Sequence, residues 1–151
     1  MTPLFKKLNL GCSDTILVLN SPESFEAELT QLDGVKILRK VKPRMRVPFA
    51  IGFAATQTEC DHISSIAVAA TEGDSIVWIA YPKASSKNYR CEFNRDTGWT
   101  VLGDAGFEPV RQVAIDEDWS ALRFRRTEYI KSLTRSNTMA LSLEGKRRTK
   151  R

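Results

Sequence analysis

Three continuous apolar runs constrain this chain most: Thr15–Leu19 (TILVL), Phe49–Ala54 (FAIGFA) and Ser75–Tyr81 (SIVWIAY). Each is short and rich in β-branched or aromatic residues, and none alternates with polar residues. That is the pattern of strands covered on both faces. Between two of them lies a segment with helical punctuation and spacing. Thr56 with Glu59, or Thr58 with Asp61, fits a capping box, and Ile63, Ile66, Ala67 and Ala70 recur at i, i+3, i+4 and i+7. Strands separated by such helices imply parallel βαβ units in a sheet with helices on both faces.

The remaining elements extend the same plan. Thr2 and Pro3 open a short helix carrying Leu4, Phe5 and Leu8, which Gly11 stops. Ser21 reads as an N-cap with Pro22 at the first helical position, for a helix that places Phe25, Leu29 and Leu32 on one face and ends at Gly34. Val35–Val41 reads as a second strand. Asp96 reads as the cap of a helix carrying Trp99 and Leu102, which Gly106 stops, and Pro109–Ile115 as a fifth strand. The acidic turn Asp116–Asp118 then leads into Trp119–Arg126, whose alternation predicts a strand returning antiparallel.

One link resists this scheme. From Val41 to Pro48 there is too little chain for a crossover helix. Either the extended segment Lys42–Val47 carries a parallel return, six or seven residues at about 3.4 Å each just spanning a short strand, or the second and third strands are antiparallel. The first arrangement is favoured. The fold class is therefore α/β: a three-layer Rossmann-like sandwich whose sheet of about six strands is mainly parallel, with a C-terminal antiparallel strand. Residues 1–133 are read as one domain and residues 134–151, ending in GKRRTKR, as a basic flexible tail.

Composition narrows the class of function. The 151 residues suffice for one core that buries about two thirds of the unfolded surface. A content of 42% hydrophobic and 27% charged residues excludes disordered and collagen-like chains. No apolar run approaches the roughly 20 residues of a membrane span, and no secretory h-region follows Lys6 and Lys7, so a cytoplasmic protein with no membrane partner is expected. Cys12, Cys60 and Cys91 fit neither a disulfide framework nor a zinc pattern. They are read as reduced thiols, Cys60 in the core, and no metal is expected.

The stretches VLNSPESF, WIAYPKASSK and VRQVAIDEDWSALRFRR resemble a family of small bacterial proteins of unknown function, over roughly Leu10–Arg126. The succession WIAYP, helix, GFEPVRQVAID, WSALRFRR is also similar, in architecture, to the C-terminal half of class I methyltransferase-type domains, where the last two strands form a hairpin. The resemblance implies a Rossmann-like fold and no particular activity. The chain departs from methyltransferases and dehydrogenases at the turn after the first strand. Asn20, Ser21, Pro22 and Glu23 stand there without a glycine, and a carboxylate sits at the helix start, so nucleotide binding in the usual mode and any cofactor are not expected. GxxxxGK[ST] is absent too.

In open parallel sheets ligands gather beyond the carboxyl ends of the strands. The candidates there are Asn20, Ser21, Thr56, Tyr81, Lys83, Ser85 and Ser86, with Ala55, Gln57 and Lys87 beside them. Tyr81-Pro82-Lys83 sets a phenol, a fixed bend and an ammonium at the end of a buried strand, a combination suited to a carboxylate or phosphate. Catalytic machinery is not assembled. His62 is the sole histidine, on the outer part of its helix, and Asp116, Glu117 and Asp118 read as turn acids. The favoured reading is thus a module that binds a small anionic molecule, leaning away from catalysis. Two rivals stay open, a divergent methyltransferase-like enzyme and a nucleic-acid or acidic-protein binder. The latter draws on a net charge of +5 and on Arg39, Arg44, Arg46, Arg123, Arg125, Arg147 and Arg148.

Overall fold

In the computed structural model residues 2–94 and 96–130 are described. They form one six-stranded sheet, built from β1 (Thr15–Leu19), β2 (Lys36–Leu38), β3 (Phe49–Phe53), β4 (Ile76–Pro82), β5 (Phe107–Ala114) and β6 (Trp119–Arg126), in the order β2-β1-β3-β4-β6-β5. The first four strands are mutually parallel and β6 runs antiparallel to both neighbours. The α/β, Rossmann-like class expected from the runs is the one observed. The basic tail, with Arg147 and Arg148, lies outside the described residues.

Two layers of helix sandwich the sheet because the inner strands are apolar on both sides. On one face Ile16, Val18, Phe49, Ile51, Phe53, Trp78 and Trp119 pack against α1 (Pro3–Lys7) and α2 (Glu23–Leu29). The indole of Trp78 donates to the Leu8 carbonyl at 2.8 Å, which fixes α1 over the sheet centre. On the other face Val77, Ile79, Tyr81, Leu122 and Phe124 pack against α3 (Gln57–Ala70) and α4 (Thr100–Asp104) through Cys60, Ile63, Ala67 and Leu102. Cys60 is fully buried, as its place on the apolar stripe predicts. Burial pushes its thiol up to about 12, so it packs as an inert hydrophobe.

The link between β2 and β3 is parallel and carries no helix. The two strands do not pair; they flank β1 on opposite sides. The segment is not extended throughout: it turns at Pro43 and Arg44, the Met45 amide donating to the Lys42 carbonyl at 3.0 Å with Arg44 in the left-handed region at φ 68°. Val47 lies buried against Leu17, Ala50 and Ala70, and its amide donates to the Ala70 carbonyl at 2.8 Å. Val47 thereby supplies apolar cover on the face where a crossover helix would otherwise sit.

Two helix starts differ from the sequence-based expectation. The N-cap of α2 is Pro22, not Ser21, because Asn20 takes a left-handed conformation (φ 57°) and the Ser21 hydroxyl turns to the Glu26 carboxylate. That helix also ends at Leu29 rather than Leu32, its exit tightening into i→i−3 bonds from Gln31 to Glu28 and from Leu32 to Leu29. Asp96 does not cap α4. Its amide bonds Asn94 Oδ1 in a turn, Gly98 adopts φ 92°, and Trp99 takes the N-cap position with no side-chain bond. The flanking strands are shorter or longer by a few residues, β2 covering three residues and β5 starting at Phe107.

α3 approaches the sheet closely at Gly52, where a β-carbon would lie 2.2 Å from Ile63 Cγ2. Gly52→Ala therefore forces α3 away from β3, and overpacking of this kind costs about 1–3 kcal/mol. Chemical denaturation should show that loss for Gly52→Ala and a sub-additive loss when it is combined with Ile63→Ala, which removes the obstructing methyl.

Candidate functional site

The strand order reverses between β1 and β3, the place where a ligand of such a sheet would be sought. Here the opening is filled by the chain's own side chains. Thr56 caps α3 by accepting the Glu59 amide, and Glu59 Oε1 accepts the amides of Ala55 at 3.0 Å and Thr56 at 3.1 Å. Asn20, at the end of β1, donates its Nδ2 to the Phe53 carbonyl at 2.8 Å and to Glu59 Oε2 at 3.1 Å. A carboxylate of the protein thus sits where the start of α3 would hold an anion. These bonds, led by the one from Ala55, hold the Glu59 carboxyl below the usual carboxylate range.

Ser21 lies apart from that cluster. It joins Glu26 and Arg39, whose guanidinium grips the carboxylate in a two-pronged pair at 2.5 and 2.7 Å. Arg39 is thereby anchored beside the β2 edge of the sheet, while Arg123 and Arg125 lie on β6 near the opposite edge. Arg44 and Arg46 belong to the link beneath β1 and are exposed. Arg125 is bonded to Asp74 through two contacts of 2.7 Å. The arginines singled out from the sequence are therefore spread along the sheet.

A groove of about 1020 Å³ opens instead beyond the carboxyl end of β4, on the α3 face. Tyr81, Lys83, Ser85 and Ser86 line it together; Asn20, Ser21 and Thr56 do not. Its floor follows from the hairpin geometry. Tyr81 pairs with Ser120 across β4 and β6, and the Tyr81 hydroxyl accepts from Gln112 Nε2 of β5 at 2.9 Å. Beneath it Tyr81, Phe93, Trp99 and Phe124 interlock with ring centroids 5.0–6.0 Å apart.

The roof is the segment between β4 and α4, pinned at both ends. At its start Lys83 donates its amide to the Asp118 carbonyl at 2.7 Å, Ser86 Oγ donates to Asp118 Oδ1 at 2.8 Å, and Tyr89 packs on Trp119 at 4.9 Å. Near its end the Glu92 amide reaches the Ala55 carbonyl at 2.9 Å, and Glu92 Oε1 accepts the Gln57 amide at 2.7 Å. Ser86 also accepts the amides of Asn88 and Tyr89, so its hydroxyl organises the loop. The turn acids have matching work: Asp116 Oδ1 accepts the amides of Asp118 and Trp119.

Lys83 and Arg90 bring two cations to the groove, and among the described residues neither forms an ion pair. Among the described residues the wall carries one carboxylate, Glu92, which is bonded to the start of α3. Arg90, Gln112 and Ser120 were not singled out from the sequence. Arg90 had a signal, the run of cations Lys83, Lys87 and Arg90 in one loop; Gln112 and Ser120 had none, since only strand register brings them to Tyr81. His62 is exposed on α3, away from the groove lining. Among the described residues no group of three or more His, Cys, Asp and Glu could hold a metal ion, and no helix is long and apolar enough to cross a membrane.

No protein-family model matches the chain, and no curated protein matches it. Its fold is similar to that of solved methyltransferases. A SAM-dependent methyltransferase from Aquifex aeolicus superposes with a TM-score of 0.55 at 12% identity, over 80% of this chain and 86% of that one. The N-methyltransferase NodS from Bradyrhizobium japonicum WM9 gives 0.52 at 12% identity, over 82% and 92%. Magnesium protoporphyrin IX methyltransferase from Synechocystis PCC 6803 gives 0.51 at 10% identity, over 82% and 74%. At these identities the likeness is one of fold.

Because the folded Glu59 has a lowered pKa, its stabilising contribution is complete above the unfolded carboxyl value of about 4.3 and is lost as pH falls through the folded value. Glu59→Gln should lower stability at neutral pH by roughly 1–2 kcal/mol, the scale of a lost helix cap. It should also flatten the decline on the acid side, as followed by denaturant titrations from pH 7 to about pH 3.

Proposed function

We propose that the chain is a small Rossmann-like binding module for an anionic small molecule held in the groove beyond β4. The observation that supports this is the pairing of two cations without acidic partners, Lys83 and Arg90, with the hydrogen-bonding floor of Tyr81, Gln112 and Ser120. A carboxylate or phosphate would lie between the ammonium and the guanidinium. Arg90 offers a planar fork that matches either group, and Lys83 a compact point charge. The neutral part of the ligand would rest over Tyr81, where Ser85 and Ser120 add donors and acceptors. The sequence resemblance to small bacterial proteins of unknown function and a cytoplasmic setting fit this reading, in which the described sheet is one domain and no catalytic group is invoked.

A methyltransferase-like reading draws support from the fold of the neighbours, one of which, NodS, was solved in complex with S-adenosyl-L-homocysteine. Against it stand the turn after β1, which has no glycine, and the Asn20–Glu59 cluster at the point of strand reversal, where Glu59 takes the amides of Ala55 and Thr56.

Thermal-shift and calorimetric titrations against inorganic phosphate, di- and tricarboxylates, sugar phosphates, nucleotides and S-adenosylmethionine separate the two. The proposal expects an anionic compound to raise the midpoint by mass action. Lys83→Ala and Arg90→Ala should each weaken it about 10- to 100-fold, as loss of a charge-assisted hydrogen bond does. Stabilisation by S-adenosylmethionine that survives in both variants would replace this reading with the methyltransferase-like one.

A further inference from the structure

The outer hairpin carries a second cationic feature, on the opposite face of the sheet from the groove. Register places Arg111 of β5 directly across from Arg123 of β6, with Arg125 two residues further along the same face. Side chains so opposed stand about 4.5–5.5 Å apart at Cβ, and like charges there repel. The arrangement depends on an irregularity. Pro109 pairs with Phe124 and Arg111 with Arg123, so Val110 is an inserted residue that bulges from the ladder. In a regular ladder Val110 would face Arg123, and Arg111 would turn to the α3 face. The bulge leaves Val110 exposed and sets a second guanidinium beside the first.

Arg123 is half-buried, and its Nε is buried without an acceptor. Burial pulls its pKa down, and Arg125 and then Arg111 pull in the same direction against Asp74. Of the acids on this face, Asp74 is taken up in two bonds by Arg125, and Glu108, fully buried, stands opposite Arg125. Two guanidinium groups brought together by a bulge, one of them incompletely bonded, form a receptor for an oxyanion with several acceptor oxygens.

We propose that Arg111 and Arg123, with Arg125 beside them, form a phosphate-binding site on the face of the β5–β6 hairpin turned away from the groove at Lys83. The group recognised is a phosphate, either free or esterified in a small molecule or carried by a nucleic-acid strand. Phosphate bridges the two guanidiniums and relieves their repulsion, so ligand-free protein is strained at the position that binds.

The test uses the full chain carrying Lys83→Ala and Arg90→Ala, so that binding in the groove does not contribute. Arginine Nε–Hε resonances are followed by NMR at constant ionic strength while inorganic phosphate, pyrophosphate or a short single-stranded RNA is added. The expected result is a saturable shift of the Arg111 and Arg123 signals, and loss of binding at least tenfold in Arg111→Gln and in Arg123→Gln. In the absence of anion, Arg111→Gln should also raise the thermal midpoint, because it removes the like-charge contact; a merely structural arginine would lower it. A response to inorganic phosphate or pyrophosphate assigns a small-molecule source. Response to RNA alone, steeply weakened by salt, assigns a nucleic-acid backbone. The proposal is overturned if none of the three probes moves these signals, if binding survives in both variants, or if Arg111→Gln lowers the midpoint.

Discussion

The Glu59 carboxylate is the constraint on which the geometry of the binding surface depends. It stands in the first turn of α3 and gathers the amides of Ala55 and Thr56 together with the side chain of Asn20. Through Asn20, itself bonded to the Phe53 carbonyl, the ends of β1 and β3 are locked to one another. Rossmann-like sheets present an anion site here because helix amides and the helix dipole converge on the crevice. In this chain the amides of Ala55 and Thr56 are taken by Glu59 and that of Gln57 by Glu92, so the start of α3 does not offer them to a ligand.

The opening that remains is displaced along the sheet by one strand. It exists because the segment between β4 and α4 cannot settle onto the sheet. Asp118 and Trp119 hold its start, and Ala55 and Gln57 hold it near its end. Its Phe93 stacks on Tyr81 and Trp99 below. A strut fastened at both ends over a hydrogen-bonded floor keeps space open. The fastening on α3 is only two residues from Glu59, so the cap that closes the crevice also braces the roof of the groove. Crevice and groove are thus coupled parts of one solution.

The sheet was legible in the sequence because doubly covered strands leave a one-dimensional trace: TILVL, FAIGFA and SIVWIAY have no polar member on the layer-facing positions. The capping box at Thr56 and Glu59 was legible for the same local reason, as both partners lie within one turn. What failed to show was set by distance along the chain. Ser21 and Asp96 are good caps by residue type, yet Ser21 bonds Glu26 within a cluster that includes Arg39, and the amide of Asp96 is held by Asn94. Tyr81, Lys83, Ser85 and Ser86 could be grouped because they lie close together in sequence, at the end of β4 and in the loop that follows it. Joining Tyr81 to Gln112 required the register of a hairpin, and separating Thr56 from them required the Asn20–Glu59 bond, neither of which is written in local pattern.

The charge balance follows from the same division of labour. Several carboxylates in this chain are spent on architecture: Glu26 on Arg39, Glu59 on the strand ends, Asp61 on Gln57, Asp74 on Arg125, Glu92 on the Gln57 amide, Asp116 on the hairpin turn and Asp118 on Ser86 of the loop after β4. Each such acid turns its negative charge toward backbone or partner, where it no longer screens the surface. The cations are not consumed in the same measure, since Arg39 and Arg125 alone form ion pairs among the described residues. The net charge of +5 makes the field around the chain positive. In such a field anions are drawn to the surface generally, and selectivity rests on where cations are held rather than free. The groove places Lys83 and Arg90 on a pinned loop, and register sets Arg111 opposite Arg123 in the bulged hairpin, whereas Arg44 and Arg46 lie on the exposed link.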